Sequence, residues 1–161
     1  MTSNLLISFL FILSSGSGFD SDSKYFKDFY ASGKPKSEGW LIDGKKTGYW
    51  KFYHENGNTS EQGHYKYNRR EKYWYFYGPN RVRIKEGKYL AGRMTSWWLF
   101  YDTKGRINHK CQLNNGKKNG YCLKYENEEL VAAEKYHNGE KIKEWFNFVD
   151  FRRENKLSDL K

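Results

Sequence analysis

The sequence predicts an all-β fold: a meander of about ten short antiparallel strands, built from 24-residue hairpin repeats and forming an elongated, twisted sheet. Three observations predict it. Turn residues separate the aromatic runs, helical periodicity is poor, and aromatic clusters recur at a fixed step. That step is 24 residues, as in Tyr53, Tyr77, Tyr101 and Tyr125 and in Trp50, Trp74, Trp98 and Cys122. A fixed period of this size indicates a repeat architecture.

Each repeat divides into two predicted strands. The first is an aromatic run such as YWKFY (Tyr49–Tyr53), and the second is a weaker run such as EQGHYKY (Glu61–Tyr67). Asn-Gly steps, as in NNG at 114–116 and HNG at 137–139, separate such runs. Asn-Gly between aromatic or β-branched runs is the strongest short signal for a β-hairpin. We therefore expect stability to be shared among neighbouring repeats rather than held in one core.

The repeats also predict the strand register. A turn centred between residues 44 and 45 places Gly39 opposite Trp50, where the large ring would cover the glycine. The same rule gives the pairs Gly63–Trp74, Gly87–Trp98 and Cys111–Cys122. Both members of the last pair have changed together, and they are the only cysteines in the chain. A cross-strand disulfide is the favoured interpretation in an oxidising compartment, and two free thiols are the alternative. Zinc would need four suitably spaced ligands, which two cysteines and scattered histidines do not supply.

The N-terminus has the pattern of a secretory signal. The stretch Leu5–Leu13 is apolar except for Ser8, and the small residues SSGSG follow it. This stretch is shorter than the roughly 20 residues that a spanning helix needs, and it matches the apolar region of a signal peptide, although no Lys or Arg precedes it. We predict a signal peptide at 1–19, a repeat domain at 20–146, a C-terminal capping tail at 147–161, and export to the periplasm, envelope or extracellular space. An N-terminal strand or a retained anchor is the alternative, and without a signal the protein would be cytoplasmic.

The unit GKKTGYWKFYHENG (Gly44–Gly57), followed by a short E-x-G-x-Y stretch, resembles the MORN repeat. It is more closely similar to the MORN-variant repeats of the bacterial YwqK-like antitoxin family, over about residues 26–146. The chain departs from the pattern at Asn68, Lys72, Ser96 and Cys122. The resemblance implies a scaffold or binding surface. Some such proteins contact membrane lipids, and some bacterial members carry an antitoxin label. No functional residue is implied by the repeat itself.

Positive charge is concentrated on one predicted edge of the sheet. The chain has a net charge of +10, and a meander places every second turn on the same edge. Five turn segments on one edge carry a combined charge of +8, and four on the other carry −2. The predicted partner-binding residues are Lys45, Lys46, Arg69, Arg70, Arg93, Lys117, Lys118 and Lys141. Each would contribute roughly 1 kcal/mol near an anionic membrane, with Tyr49, Tyr73 and Trp97 at headgroup level. The alternative is that these cations only solvate turns and prevent edge aggregation.

The sequence predicts binding rather than catalysis. No Ser/His/Asp set can be proposed, and the glycine-rich stretches recur as turns rather than as a phosphate loop. Glu38, Glu86 and Glu134 share one phase and are interpreted as exposed strand residues with cross-strand partners such as Lys51. We expect no cofactor, metal or small-molecule substrate.

The predicted partner is an anionic membrane or envelope surface. Nucleic acid is disfavoured by export and by the lack of a recognised module. The alternative is an antitoxin or immunity-type protein that neutralises a protein partner. An inhibitor of a toxin that attacks nucleic acid would be expected to be acidic at its interface, in contrast to the charge of this chain.

Overall fold

The computed structural model describes residues 22–160 and contains one open sheet of 11 antiparallel strands, each paired with the next in sequence. The strands are β1 (Ser23–Phe29), β2 (Pro35–Ile42), β3 (Lys45–Tyr53), β4 (Thr59–Lys66), β5 (Arg69–Tyr77), β6 (Arg83–Leu90), β7 (Arg93–Tyr101), β8 (Ile107–Asn114), β9 (Lys117–Glu126), β10 (Glu129–His137) and β11 (Glu140–Trp145). A helix, α1 (Phe148–Glu154), and a 3₁₀ helix (Leu157–Leu160) follow. The predicted all-β meander is confirmed. The predicted signal peptide lies outside the described residues.

The predicted register is confirmed beyond the turns. Gly39 is opposite Trp50, and Gly87 is opposite Trp98. A Cβ atom on either glycine would collide with the indole ring of its partner, so only glycine fits beneath these rings. Gly63 lies at a register shift between β4 and β5, and the ring of Trp74 covers it in the same way.

The cysteine pair occupies the corresponding place in the fourth repeat. Cys111 is opposite Cys122, and a disulfide joins them with their Cα atoms 4.0 Å apart. Both side chains are fully buried. A covalent link therefore stands where the other repeats have an indole ring over a glycine.

One face of the sheet, which we call the tryptophan face, carries the main core. Trp50, Trp74 and Trp98 are fully buried, although no second layer of structure covers them in the described chain. Their shelter comes from neighbouring rings of the same face, among them Phe52, Tyr65, Phe76, Tyr89 and Phe100. Each indole N–H is also satisfied: the Nε1 atoms donate to the carbonyl oxygens of Trp40, His64 and Lys88 at 3.0, 3.1 and 3.2 Å. Aromatic rings thus form the core of a single sheet.

Near the turns each residue pairs with a partner two positions earlier than predicted, as in Trp40 with Thr47 instead of Tyr49. The first of these turns is Asp43–Gly44, and both residues have positive φ, as in the hairpin turns that match strand twist. A register shift then lets the chain pass Gly48, whose φ is +71°. The equivalent residues, Lys72, Ser96 and Gly120, have φ values of +60°, +60° and +108°. Lys72 and Ser96 therefore depart from the repeat pattern in sequence but keep its left-handed backbone.

Restoring glycine at these two places should stabilise the protein. A side chain in the left-handed region costs about 1 kcal/mol because Cβ crowds the following carbonyl oxygen. We expect Lys72→Gly and Ser96→Gly each to raise the free energy of unfolding by about 1 kcal/mol, measured by chemical denaturation. Lys72→Ala is the control, because alanine keeps the Cβ and should give no such gain. Equal gains for Gly and Ala would contradict this explanation.

The C-terminal segment packs on the face opposite the tryptophan face. Asn147 caps α1 by accepting a hydrogen bond from the Asp150 N–H at 2.8 Å. Phe151 is buried, with its ring edge-on to Tyr121 and Trp145 at centroid distances of 5.6 and 5.4 Å. The tail predicted as a cap over the last strand therefore covers a face of β9, β10 and β11.

Candidate functional site

The turns that follow β2, β4, β6, β8 and β10 lie side by side along one edge, which we call the basic edge. Backbone hydrogen bonds join each turn to the preceding hairpin. The N–H groups of Asn68, Gly92, Gly116 and Gly139 donate to the carbonyl oxygens of Lys46, Arg70, Met94 and Lys118 at 2.8 to 3.0 Å. Equivalent residues are two strands apart, which is about 10 Å. The edge is therefore continuous and evenly spaced.

All eight predicted binding residues lie on the basic edge, but only half of them are free to meet a partner. Lys45, Arg69, Arg93 and Lys117 are the first residues of β3, β5, β7 and β9, and all four are exposed. Within residues 22–160, none of these four has a carboxylate within ion-pair distance. Arg93 donates a hydrogen bond to the Asn115 side chain at 3.3 Å. We call these four residues the cation row.

The next residue along three of these strands packs over the tryptophan face instead. The Lys46 Nζ atom lies 4.7 Å from the centre of the Trp50 ring, and the Arg70 guanidinium lies 4.5 Å from that of Trp74. Arg70 also pairs with Glu61 at 2.6 Å. Burial lowers the pKa of Lys46. These cations cover the aromatic core, and a cation over the face of an aromatic ring is stabilising.

The last two predicted residues also have intramolecular partners. The Lys118 Nζ atom lies 4.5 Å from the centre of the Tyr136 ring. Lys141 forms ion pairs with Glu144 at 2.8 Å and Glu134 at 3.5 Å. Four of the eight predicted residues thus contact rings or carboxylates of the described chain itself, and the four of the cation row do not.

The prediction that Glu86 and Glu134 are exposed strand residues is wrong, because both are buried. Glu86 accepts a hydrogen bond from the Tyr101 hydroxyl at 2.9 Å, and its other oxygen lies 2.8 Å from an Arg83 nitrogen. Glu134 accepts from the Tyr136 hydroxyl at 3.0 Å. Hydroxyl donors compensate the burial of these carboxylates. Glu38 lies opposite Lys51 as predicted, but it is half-buried, and its carboxylate pairs with Lys27 and accepts a hydrogen bond from the Tyr53 hydroxyl.

Tyr73 is expected to make the fold sensitive to alkali. Burial and the nearby charge of Glu86 raise its pKa to about 12. A raised pKa means that folding favours the neutral phenol, so this stability is complete below about pH 10 and is lost as the pH rises toward 12. We expect Tyr73→Phe to unfold less readily than the parent between pH 10 and 12, measured by circular dichroism at each pH. Tyr67→Phe, at an exposed turn, is the control, and equal shifts for both variants would contradict this role.

A second surface feature was found only in part from the sequence, which singled out Tyr49, Tyr73 and Trp97 beside the basic turns. Tyr25, Tyr49, Tyr73, Trp97 and Tyr121 follow one another at steps of 24 residues on β1, β3, β5, β7 and β9. We call them the aromatic stripe; they lie on the face opposite the tryptophan face. Tyr25, Tyr49 and Tyr73 are 45%, 40% and 39% exposed, whereas Tyr121 is 4% exposed beneath α1. The 24-residue step was sufficient to find the stripe, but the neighbouring Trp positions dominated the pattern.

Residues 22–160 contain no cluster of metal ligands and no helix that could span a membrane. No group of three or more His, Cys, Asp and Glu side chains there could hold a metal ion. None of the helices in that range is long and apolar enough to cross a membrane. No protein-family model matches the chain, and no curated protein matches it.

Proposed function

We propose that this protein is a non-enzymatic repeat scaffold that binds an anionic envelope or membrane surface through the cation row. The observation that carries the proposal is the arrangement of Lys45, Arg69, Arg93 and Lys117. They are exposed, they have no carboxylate partner among the described residues, and they repeat at every second strand of one edge. The resemblance to MORN-type repeats, which implies a binding scaffold, is consistent with this function.

The expected strength of this contact is modest. Each Lys or Arg near an anionic bilayer contributes ~1 kcal/mol, so the four residues together give about 4 kcal/mol. That corresponds to a dissociation constant of about 1 mM for an isolated row. Such binding would be reversible. It would also depend on salt, because the screening length in ~0.1 M salt is about 10 Å, similar to the spacing of the row.

The shape of the edge favours an extended ligand over a small one. Adjacent cations of the row are about 10 Å apart, too far for one small anion to bridge. A flat anionic surface can meet all four together. The hydrogen bonds between neighbouring turns hold the charges in line before contact, so little ordering is needed on binding.

Vesicle co-sedimentation of the full chain tests the proposal. The test variant changes Lys45, Arg69 and Lys117 to Gln, and the control variant changes Lys34, Arg81 and Lys104, on the opposite edge, to Gln. Both variants lose the same charge. We expect binding to anionic vesicles at low salt to weaken about 100-fold in the test variant and much less in the control. Neutral vesicles measure any contribution from the apolar N-terminal segment.

Two results would contradict the proposal: no binding to anionic vesicles at low salt, or equal losses in the two variants. Equal losses would mean that net charge, and not the row, attracts the protein. Absence of binding would favour the alternative function, an antitoxin or immunity-type protein that binds and neutralises a protein partner. The first candidate partner would then be a protein encoded next to this one.

A further inference from the structure

We propose that the open part of the aromatic stripe, at Tyr49 and Tyr73, is a docking site for a short helical segment of a partner protein. The segment would carry a phenylalanine and an acidic side chain on the face that meets the sheet. This inference rests on the aromatic stripe and its neighbours, and it does not depend on membrane binding by the cation row.

The chain's own C-terminal segment shows what the stripe binds. At Tyr121 the covering helix α1 contributes the ring of Phe151, 5.6 Å from the tyrosine ring. The Tyr121 hydroxyl donates to the Asn155 side-chain oxygen at 2.8 Å. Glu154 of α1 accepts a hydrogen bond from the Trp145 indole N–H at 3.2 Å and forms an ion pair with Lys143. A ring, a hydrogen-bond acceptor and a carboxylate therefore anchor a short helix on this face.

The open positions repeat the cross-strand pairing of the occupied one. Tyr121 has Lys135 as its cross-strand partner, and the Lys135 Nζ atom lies 5.3 Å from the centre of the Tyr121 ring. Tyr73 has Lys88 in the equivalent place, and Tyr49 has His64. Cross-strand partners share a face of the sheet. Each open tyrosine thus has a nitrogen-bearing neighbour and no covering segment within residues 22–160.

Charge selects an acidic partner for the open positions. Lys88 is exposed beside Tyr73, and Lys66 is exposed opposite Arg69 on the same face. Lys66, Arg69 and Lys88 form no ion pair within the described chain. The acids beside these positions are already engaged: Glu86, near Tyr73, pairs with Arg83 at 2.8 Å, and Glu71 accepts a hydrogen bond from the Ala91 N–H at 2.9 Å. A segment with a carboxylate beside its aromatic residue would therefore complement both the rings and the free cations.

A labelled peptide with the sequence of residues 147–160 is the probe. In the full chain the Tyr121 site is occupied by α1, so the probe is expected to bind the open part of the stripe. We expect saturable binding by fluorescence anisotropy, and at least tenfold weaker binding for the same peptide with Phe151→Ala. A peptide with Arg152 and Arg153 both changed to Glu should bind more tightly.

Protein variants locate the site. The double variant Tyr49→Ala/Tyr73→Ala should bind the probe at least tenfold more weakly. Lys88→Glu should lower the affinity most for the peptide in which Arg152 and Arg153 are changed to Glu. Phe29→Ala, at an exposed ring (51%) of β1 outside the stripe, should change neither affinity. Thermal melting of each variant verifies that it is folded, and Lys88→Glu keeps the test usable if the double variant is unstable.

Three results would overturn the inference. The first is no saturable binding of either peptide. The second is unchanged affinity in the folded double variant, which would mean that the probe displaces α1 from Tyr121. The third is competition by neutral vesicles. Vesicles that displace the peptide and shield Tyr49 and Tyr73 from solvent would assign the stripe to lipid.

Discussion

Trp74→Ala is expected to lower the free energy of unfolding by about 4 kcal/mol, a typical loss for a fully buried aromatic side chain. The ring is fully buried at the centre of the tryptophan face. Its removal strips contacts from rings on both neighbouring hairpins and takes away the nearest of the three rings that the Arg70 guanidinium covers. It also bares the backbone of Gly63, which the indole ring covers. Denaturant titration followed by tyrosine and tryptophan fluorescence would measure the change.

Trp40→Ala supplies the matched control. Trp40 is 48% exposed on the opposite face and lies edge-on to Tyr25. Its loss should cost about 1 kcal/mol or less, because exposed substitutions away from caps and cores have small effects. Similar costs for the two variants would mean that the tryptophan face is not the core of this sheet.

Gly87→Ala is expected to cost about 3 kcal/mol, which is large for the addition of one methyl group. The new Cβ would collide with ring atoms of Trp98, and Gly87 is held by β5 on one side and β7 on the other. The indole ring must move, and most of its packing is then lost. Gly92→Ala, at a turn where the new Cβ would meet only the Arg69 Cβ at an ordinary 3.9 Å, should cost less even with its positive φ of +82°.

A double-mutant cycle tests whether the glycine and the ring form one unit. With Trp98→Ala already present, the extra methyl group of Gly87→Ala has no ring to displace, so the second change should add little. The two costs should therefore fail to add by about 2 to 3 kcal/mol, as expected for side chains in direct contact. Additive costs would show that the close contact between Gly87 and Trp98 does not determine the stability of this hairpin.

Much of the fold could be predicted because the repeats constrain one another. The Gly39–Trp50 step recurs in three hairpins, and the Cys111–Cys122 pair changes both members together. Only one register explains all of these coincidences. The register shift near the turns was harder to predict. Its left-handed position is marked by glycine at Gly48 and Gly120 but is occupied by Lys72 and Ser96 in the other two hairpins.

The site could be predicted only as an edge. Sequence places Lys45 and Lys46 side by side, and alternation along a strand sends neighbours to opposite faces. Which face holds the core was not fixed by charge alone. Lys46 therefore covers the indole ring of Trp50, whereas Lys45 is exposed to solvent. Glu86 was misjudged for a related reason: its burial depends on Tyr101, whose contact requires the folded register.

Because the turns are hydrogen-bonded at a constant spacing, the length of the basic edge is proportional to the number of repeats. Deleting or duplicating one 24-residue unit would change its length by about 10 Å and its cation row by one charge, without altering any neighbouring turn. Each added repeat would raise the proposed affinity for an anionic surface about fivefold, because one cation contributes ~1 kcal/mol. Under the function proposed above, affinity follows the number of repeats, and internal duplication of the gene can change it without a new type of side chain.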